Sequence, residues 1–319
     1  MLNRFITVLS LIHLIFGYSI FNHTQDFRIP SSTYISSNNF VQNLYNFSNP
    51  ACNQNTHEFI YSSFGNYYNG ILNEQQLLFS IKNSLIDQLH LALLRTSIDN
   101  NYDTSSAWND DNQNDMVDIN EIDYNQIGFF SDRTLGLIIS KPFSIRNIDL
   151  GINSKFSVSS ISSEKSFYHA FDFGFLYSHH QLQFSAILLN SNFGFVIKDL
   201  IAYSHWSTGQ IDQTETTLIL GTVFNFKLSS ESNINRNIYW STDFNIINSQ
   251  YSIGLEYQFN IKNKLLSFHI EDSKLKNSLS FLIQFNNQFD IAYSFIIPKN
   301  NELETSQKII LGLNPNIFK

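Results

Sequence analysis

The chain has 319 residues, of which 43% are hydrophobic, 15% aromatic and only 14% charged, with a formal charge of −8. That balance excludes recognition of nucleic acid through a basic face, and a single cysteine, Cys52, excludes an internal disulfide or a cysteine-based zinc cluster. Mean hydropathy is −0.14, and beyond residue 20 no apolar run is long enough for a spanning helix, so any membrane crossing falls to strands of mixed polarity.

The N-terminus, "MLNRFITVLSLIHLIFGYS", places Arg4 before an apolar stretch from Phe5 to Phe16 and small residues at Gly17 and Ser19. This is the layout of a secretory signal peptide cut near Ser19, and the apolar stretch is short for an anchor helix. Residues 1–19 are therefore expected to be a signal peptide and the remainder to be exported. Residues 20–56 are rich in Ser, Asn and aromatics, contain Pro30 and "SNPAC" (Ser48 to Cys52), and read as irregular structure.

From residue 57 to 319 the pattern has period two, the signature of strands whose successive side chains point to opposite faces. In "YSIGLEYQFN", Tyr251, Ile253, Leu255, Tyr257 and Phe259 share one face, and Ser252, Gly254, Glu256, Gln258 and Asn260 the other. "NIDLGINSKFSV" sets Ile148, Leu150, Ile152, Phe156 and Val158 against Asp149, Gly151, Asn153, Lys155 and Ser157. "FDFGFLY", "NIYWSTDFNI", "LSFHIE" and "QFDIAYSF" repeat the device, with Asp172, Asp243, His269, Glu271 and Asp290 on the polar faces. A soluble sandwich would bury the greasy faces between layers. A membrane barrel would turn them to lipid and enclose the polar faces.

Three features favour the barrel. The windows approach the roughly 9 to 11 residues a membrane strand needs, no helix is evident to cover a broad sheet, and Tyr251, Tyr257, Phe259, Phe289 and Phe295 suit interfacial aromatic girdles. About fourteen strands are expected, centred near residues 61, 77, 92, 138, 154, 173, 187, 221, 242, 255, 269, 281, 292 and 309. With a periplasmic N-terminus, the links near 85, 145, 180, 262 and 287 lie inside and are short, and the longest, 99–132 and 194–214, lie outside. The fold expectation is an all-β, closed antiparallel transmembrane barrel with a plug-like N-terminal segment. Its lumen-facing candidates are Asp149, Lys155, Asp172, Asp243, Glu256, His269, Glu271 and Asp290, held chiefly in an internal ion-pair and hydrogen-bond network.

Sites of chemistry are sparse. The acidic segment carries Asp99, Asp103, Asp110, Asp111, Asp115, Asp118, Glu121 and Asp123. Alternating Asp110, Asn112 and Asn114 could ligate calcium, but the glycine and closing Glu of an EF-hand loop are missing, and a solvated acidic loop is the expectation. His179 and His180 read as an exposed turn. No Gly-x-Ser-x-Gly elbow, His-Glu-x-x-His or phosphate loop occurs. A hydrolase would have to be assembled from His269 and Glu271, so no enzyme activity and no cofactor are expected.

"NFSNPA" (Asn46 to Ala51), "FDFGFLYS" followed by "QLQFSAILLN", and the closing "NQFDIAYSF…SQKIILGL" together resemble the PorV/PorQ group of bacterial outer-membrane proteins, relatives of the FadL hydrophobic-compound channels. Asn49-Pro50-Ala51 is the most specific part. The chain departs from the group in having few glycines and "ACNQN" after that motif. The resemblance implies a barrel of about fourteen strands whose N-terminal segment folds inward as a plug, and a monomer in outer-membrane lipid is the expectation. It also implies one of two roles: handling secreted cargo with a type IX translocon, or passing hydrophobic small molecules through a gap in the wall. A soluble secreted β-protein that binds through its acidic loop is the alternative from another class.

Overall fold

The computed structural model describes residues 47–51, 59–83, 87–103, 106–107, 122–146, 148–184, 187–228, 234–247, 249–261, 264–274, 276–285, 288–299 and 304–314. The signal-peptide expectation, most of the plug expectation and the Asp110, Asn112, Asn114 group fall outside these residues. Fifteen strands occur in chain order: β1 (Phe59–Tyr67), β2 (Leu72–Asn83), β3 (Asp87–Asp103), β4 (Gly128–Ile145), β5 (Ile148–Ile161), β6 (Glu164–Phe184), β7 (Ile187–Trp206), β8 (Ile211–Thr214), β9 (Thr217–Leu228), β10 (Ile234–Asn245), β11 (Gln250–Ile261), β12 (Lys264–Ser273), β13 (Lys276–Phe285), β14 (Phe289–Pro298) and β15 (Ser306–Leu313).

All pairings are antiparallel. β1 pairs with both β2 and β15, and β6 pairs with β7, so the sheet closes on itself as a barrel of fourteen strands. The remaining strand, β8, is a short addition on the far half of β7, pairing Ala202–His205 with Ile211–Thr214. Closure removes the unpaired edges that an open sheet would expose.

The faces sort as a membrane requires. On β11, Tyr251, Ile253, Leu255 and Tyr257 are 36–52% exposed, and Glu256 and Gln258 between them are 7% and 2% exposed. The same inversion runs along β12, where Phe268 and Ile270 are exposed and Ser267, His269 and Glu271 are buried. Cross-strand aromatic pairs sit on the outside, including Phe224 stacked on Trp240 and Phe281 tilted against Tyr293, contacts of roughly 0.2–1 kcal/mol each. A surface this apolar is stable only in hydrocarbon. The chain is an outer-membrane β-barrel, not a two-layer soluble sheet.

β1 begins and β15 ends on one rim. The links on that rim are short, between two and five residues each. The opposite rim carries the longest links, residues 104–127 and 207–216. Thirteen of the fourteen wall strands sit close to their expected centres. β7 does not: the link expected at 194–214 is in large part strand, because two extra residues and a Lys198-Asp199 pair interrupt its alternation. His179 and His180 likewise lie within β6, which runs on to Phe184, rather than at a turn.

Candidate functional site: the barrel interior

The described N-terminal residues, Phe47 to Ala51, lie against the inner wall. Gly151 on β5 and Gly174 on β6 are registered partners. A Cβ on Gly151 would sit 2.0 Å from the Pro50 carbonyl oxygen, and one on Gly174 would sit 2.1 Å from Asn49 Oδ1. Here glycine is required by close approach of another segment, not by turn geometry. Asn49 folds its own turn by accepting the Ala51 N–H at 2.9 Å, and donates to the Phe175 carbonyl at 3.3 Å. Asn153 donates to the Phe47 carbonyl at 2.8 Å. Asn49, Pro50 and Ala51 are buried.

Beside this dock lies the densest charge cluster among the described residues. Lys155 reaches Asp172 at 2.6 Å and Asp199 at 2.5 Å, all three at most 2% exposed at their side chains. Tyr168 donates to Asp199 Oδ1 at 2.6 Å, the Asp199 backbone N–H to Asp172 at 3.0 Å, and Asn153 to Asp172 at 3.1 Å. Lys198, also buried, adds a second cation. Buried ions are tolerated only when so compensated, since each loses several kcal/mol of hydration.

This network anchors a defect in the wall. The register of β6 against β7 slips twice opposite Phe171, and Asp199 and Ile201 take φ values of 54° and 56°. Left-handed backbone at a β-branched residue is an outlier costing about 1–3 kcal/mol. The β7–β9 ladder stops at Lys198–Thr217, and β7–β8 pairing resumes at Ala202–Thr214. Across the lapse, Thr216 Oγ1 donates to the Asp199 carbonyl at 3.1 Å.

The remaining candidates also face inward. Glu256 accepts from Gln258 at 2.6 Å and Ser267 at 2.5 Å. Glu271 accepts from Ser252 at 2.5 Å and Ser278 at 3.4 Å, and Asp290 from Tyr61 at 3.3 Å. Asp243 is buried, and Asp149 is half-buried near the rim of β5. His269 is buried, yet neither ring nitrogen makes a hydrogen bond, so the His269 and Glu271 arrangement forms no proton relay. Among the described residues no group of three His, Cys, Asp or Glu side chains converges as a metal site. At the rim that carries the long links, Arg133 binds Asp99 at 3.0 Å. Backbone and side-chain donors from Asn125 and Gln126 satisfy Asp123, and hold its carboxyl below the usual range.

Sequence patterning missed Asp199, Glu74, Lys308 and His90. Lys308 reaches Glu74 at 2.7 Å across β15, β1 and β2, with Gln76 donating to the same oxygen at 2.8 Å. Their signal was position on the inward phase of β2 and β15, where the alternation is legible once strand bounds are known. Asp199 gave no such signal, because the bulge puts it and Lys198 on the buried side in succession.

No protein-family model and no curated protein matches the chain. Solved structures similar to it include the Pseudomonas putida toluene transporter TodX, 8% identical, covering 83% of this chain and 91% of that one at a TM-score of 0.45. The CymD monoaromatic hydrocarbon channel is 8% identical over 84% and 90%, with a TM-score of 0.40. The KdgM porin is 8% identical over 80% and 98%, with a TM-score of 0.29.

Proposed function

We propose that this barrel passes hydrophobic small molecules across the outer membrane and releases them sideways through the wall at the β7 bulge. The observation that carries this reading is a band of buried apolar side chains on the inner wall, to which every wall strand from β12 round to β7 contributes except β5, where Lys155 stands between Ile138 and Ala170. It runs from Leu265, Leu282 and Ala292 through Ile310, Leu78, Ala92 and Ile138 to Tyr168, Ala170 and Ala202, and the last three border the bulge. As packed, the band is closed; an apolar solute that displaces the segment over it gains roughly 25 cal/mol for each Å² it covers. Phe47 packs on the same surface, so residues 47–51 act as the plug that a solute must displace.

Expression in a host strain lacking its own hydrocarbon uptake, with radiolabelled butylbenzene supplied outside, tests this directly. Uptake rises above vector-only cells if the reading holds, and equal uptake overturns it. The Asn49-Pro50-Ala51 turn is also the part of the chain most like the cargo-handling group, and its docking against the glycine pair favours keeping that second reading. Under it, deletion in the native host leaves hydrocarbon uptake unchanged and strips secreted proteins from the cell surface.

A further inference from the structure

Ser80 on β2, His90 on β3 and Ser140 on β4 are registered partners, and Asn153 on β5 continues the row. All four face the interior: His90, Ser140 and Asn153 are 0% exposed and Ser80 5%. Ser80 Oγ, Ser140 Oγ, Asn153 Oδ1 and both ring nitrogens of His90 have no hydrogen-bond partner. Elsewhere orphans stand singly or in a pair: Asn190 and Asn225 are registered partners with both Oδ1 atoms unbonded, and at His269 the registered neighbours Glu256 and Ser280 are already bonded to serines and Gln258. Only here among the described residues do more than two side chains with unsatisfied atoms stand next to one another across successive strands. Buried polar atoms forfeit the hydrogen bonds that water gave them, so a contiguous group of them calls for partners that the wall itself does not supply.

We infer that this row is a head-group subsite of the channel, taking the uncharged hydroxyl of an otherwise hydrophobic molecule such as a phenol or an alkanol. This rests on the channel reading above. A neutral imidazole offers one N–H and one lone pair, each serine hydroxyl both donates and accepts, and Asn153 Oδ1 accepts. A ligand hydroxyl can therefore give one hydrogen bond and take another. The apolar body has its own place: Leu78, Ala92 and Ile138 lie two residues along the same three strands, themselves in register. Carboxylates are disfavoured because the row itself, two serines, an imidazole and an amide, carries no cation to pair with them. Lys155 is held by Asp172 and Asp199, and Lys141 donates to the Gln88 carbonyl at 3.0 Å. Phe47 covers the row, edge-on to His90 at 6.5 Å and tied through its carbonyl to Asn153, so the plug that closes the channel also closes this subsite.

The test uses the full chain in lipid nanodiscs with three probes of one skeleton, 4-butylphenol, butylbenzene and 4-butylbenzoate, in equilibrium binding. The phenol should bind about tenfold tighter than either of the others. In His90→Leu and in Ser140→Ala its advantage over butylbenzene should shrink to within about twofold, with butylbenzene affinity unchanged. Ser140→Ala removes one oxygen, and keeps the test open if His90→Leu fails to assemble a heat-modifiable barrel. Equal binding of phenol and butylbenzene to the wild type means that the row holds lumen water only, and overturns the subsite while leaving the channel intact. A phenol advantage that survives both variants, or tightest binding of the benzoate, also overturns it. Failure of all three probes to bind, with no butylbenzene uptake in cells, sinks the channel reading and the subsite with it.

Discussion

Two stretches of the inner wall face each other in chemistry. Along β5, β6 and β7, Lys155, Asp172, Asp199, Tyr168 and Asn153 bond one another into a nearly saturated knot. Along β2, β3 and β4, the side chains of Ser80, His90 and Ser140 make no hydrogen bond. The difference follows from magnitudes. An uncompensated buried ion costs several kcal/mol, more than a barrel can carry, so charges must find partners. A bare hydroxyl or neutral imidazole costs about 1–3 kcal/mol, which a large sheet absorbs. The saturated stretch therefore reports on how the wall holds its strained bulge, and the bare stretch on what the lumen is built to receive.

The sharpest way to break that contrast is Lys155→Met. It strands two carboxylates at a strained segment and should cost about 3–5 kcal/mol, read as a lower denaturant midpoint in detergent. Adding Asp172→Asn and Asp199→Asn should restore most of the loss. A cost under about 1 kcal/mol for the single variant would show the knot to be incidental. Next comes the outer face, which fixes which side of the sheet is interior. Leu255→Arg should cost about 2–4 kcal/mol in a bilayer. Glu256→Gln, one residue along and facing in, keeps the hydrogen bonds from Ser267 and Gln258 and should cost less than about 1 kcal/mol. Equal costs would reverse the assignment of faces.

The third variant separates the plug dock from ordinary crowding. Gly174→Ala drives a methyl group into Asn49 and Pro50, an overpacking of about 1–3 kcal/mol that expulsion of residues 47–51 would relieve. Single-channel conductance in planar bilayers should rise. Gly254→Ala is the control, since its Cβ meets Ser241 Oγ at 2.6 Å and His269 Nε2 at 2.8 Å, far from the plug. Its conductance should match the wild type.

Much of this architecture could be read from the residues alone. Perfect alternation in "YSIGLEYQFN" gives β11 its bounds and its two faces, because one face meets lipid and the other never does. Loop lengths then fix parity. What failed was β7, where Asp199 and Ile201 in left-handed backbone destroy the period that strand recognition depends on. The interior's division into saturated and bare stretches was also hidden. Lys155 and Asp172 were visible as inward charges, but their partner Asp199 came from the bulge, and the bond count at His90 depends on register across three strands. Pairing between strands leaves no local mark on a sequence.

The smallest expected effect is the most specific, because it turns on a sign. Ser140 and Ser280 are both buried inward-facing serines, 0% and 2% exposed. Ser280 shares a hydrogen bond with Ser294 at 2.7 Å, whereas Ser140 Oγ has no partner. Ser280→Ala orphans the Ser294 hydroxyl and should destabilise by about 1 kcal/mol. Ser140→Ala removes an atom already unsatisfied, and should leave the denaturant midpoint unchanged or raise it by up to about 1 kcal/mol equivalent. Filling the row with 4-butylphenol should invert that order, because the wild type then gains binding energy that Ser140→Ala forgoes. Were both substitutions to destabilise the ligand-free barrel alike, Ser140 would have a bond worth keeping, and the two stretches of wall would differ only in charge.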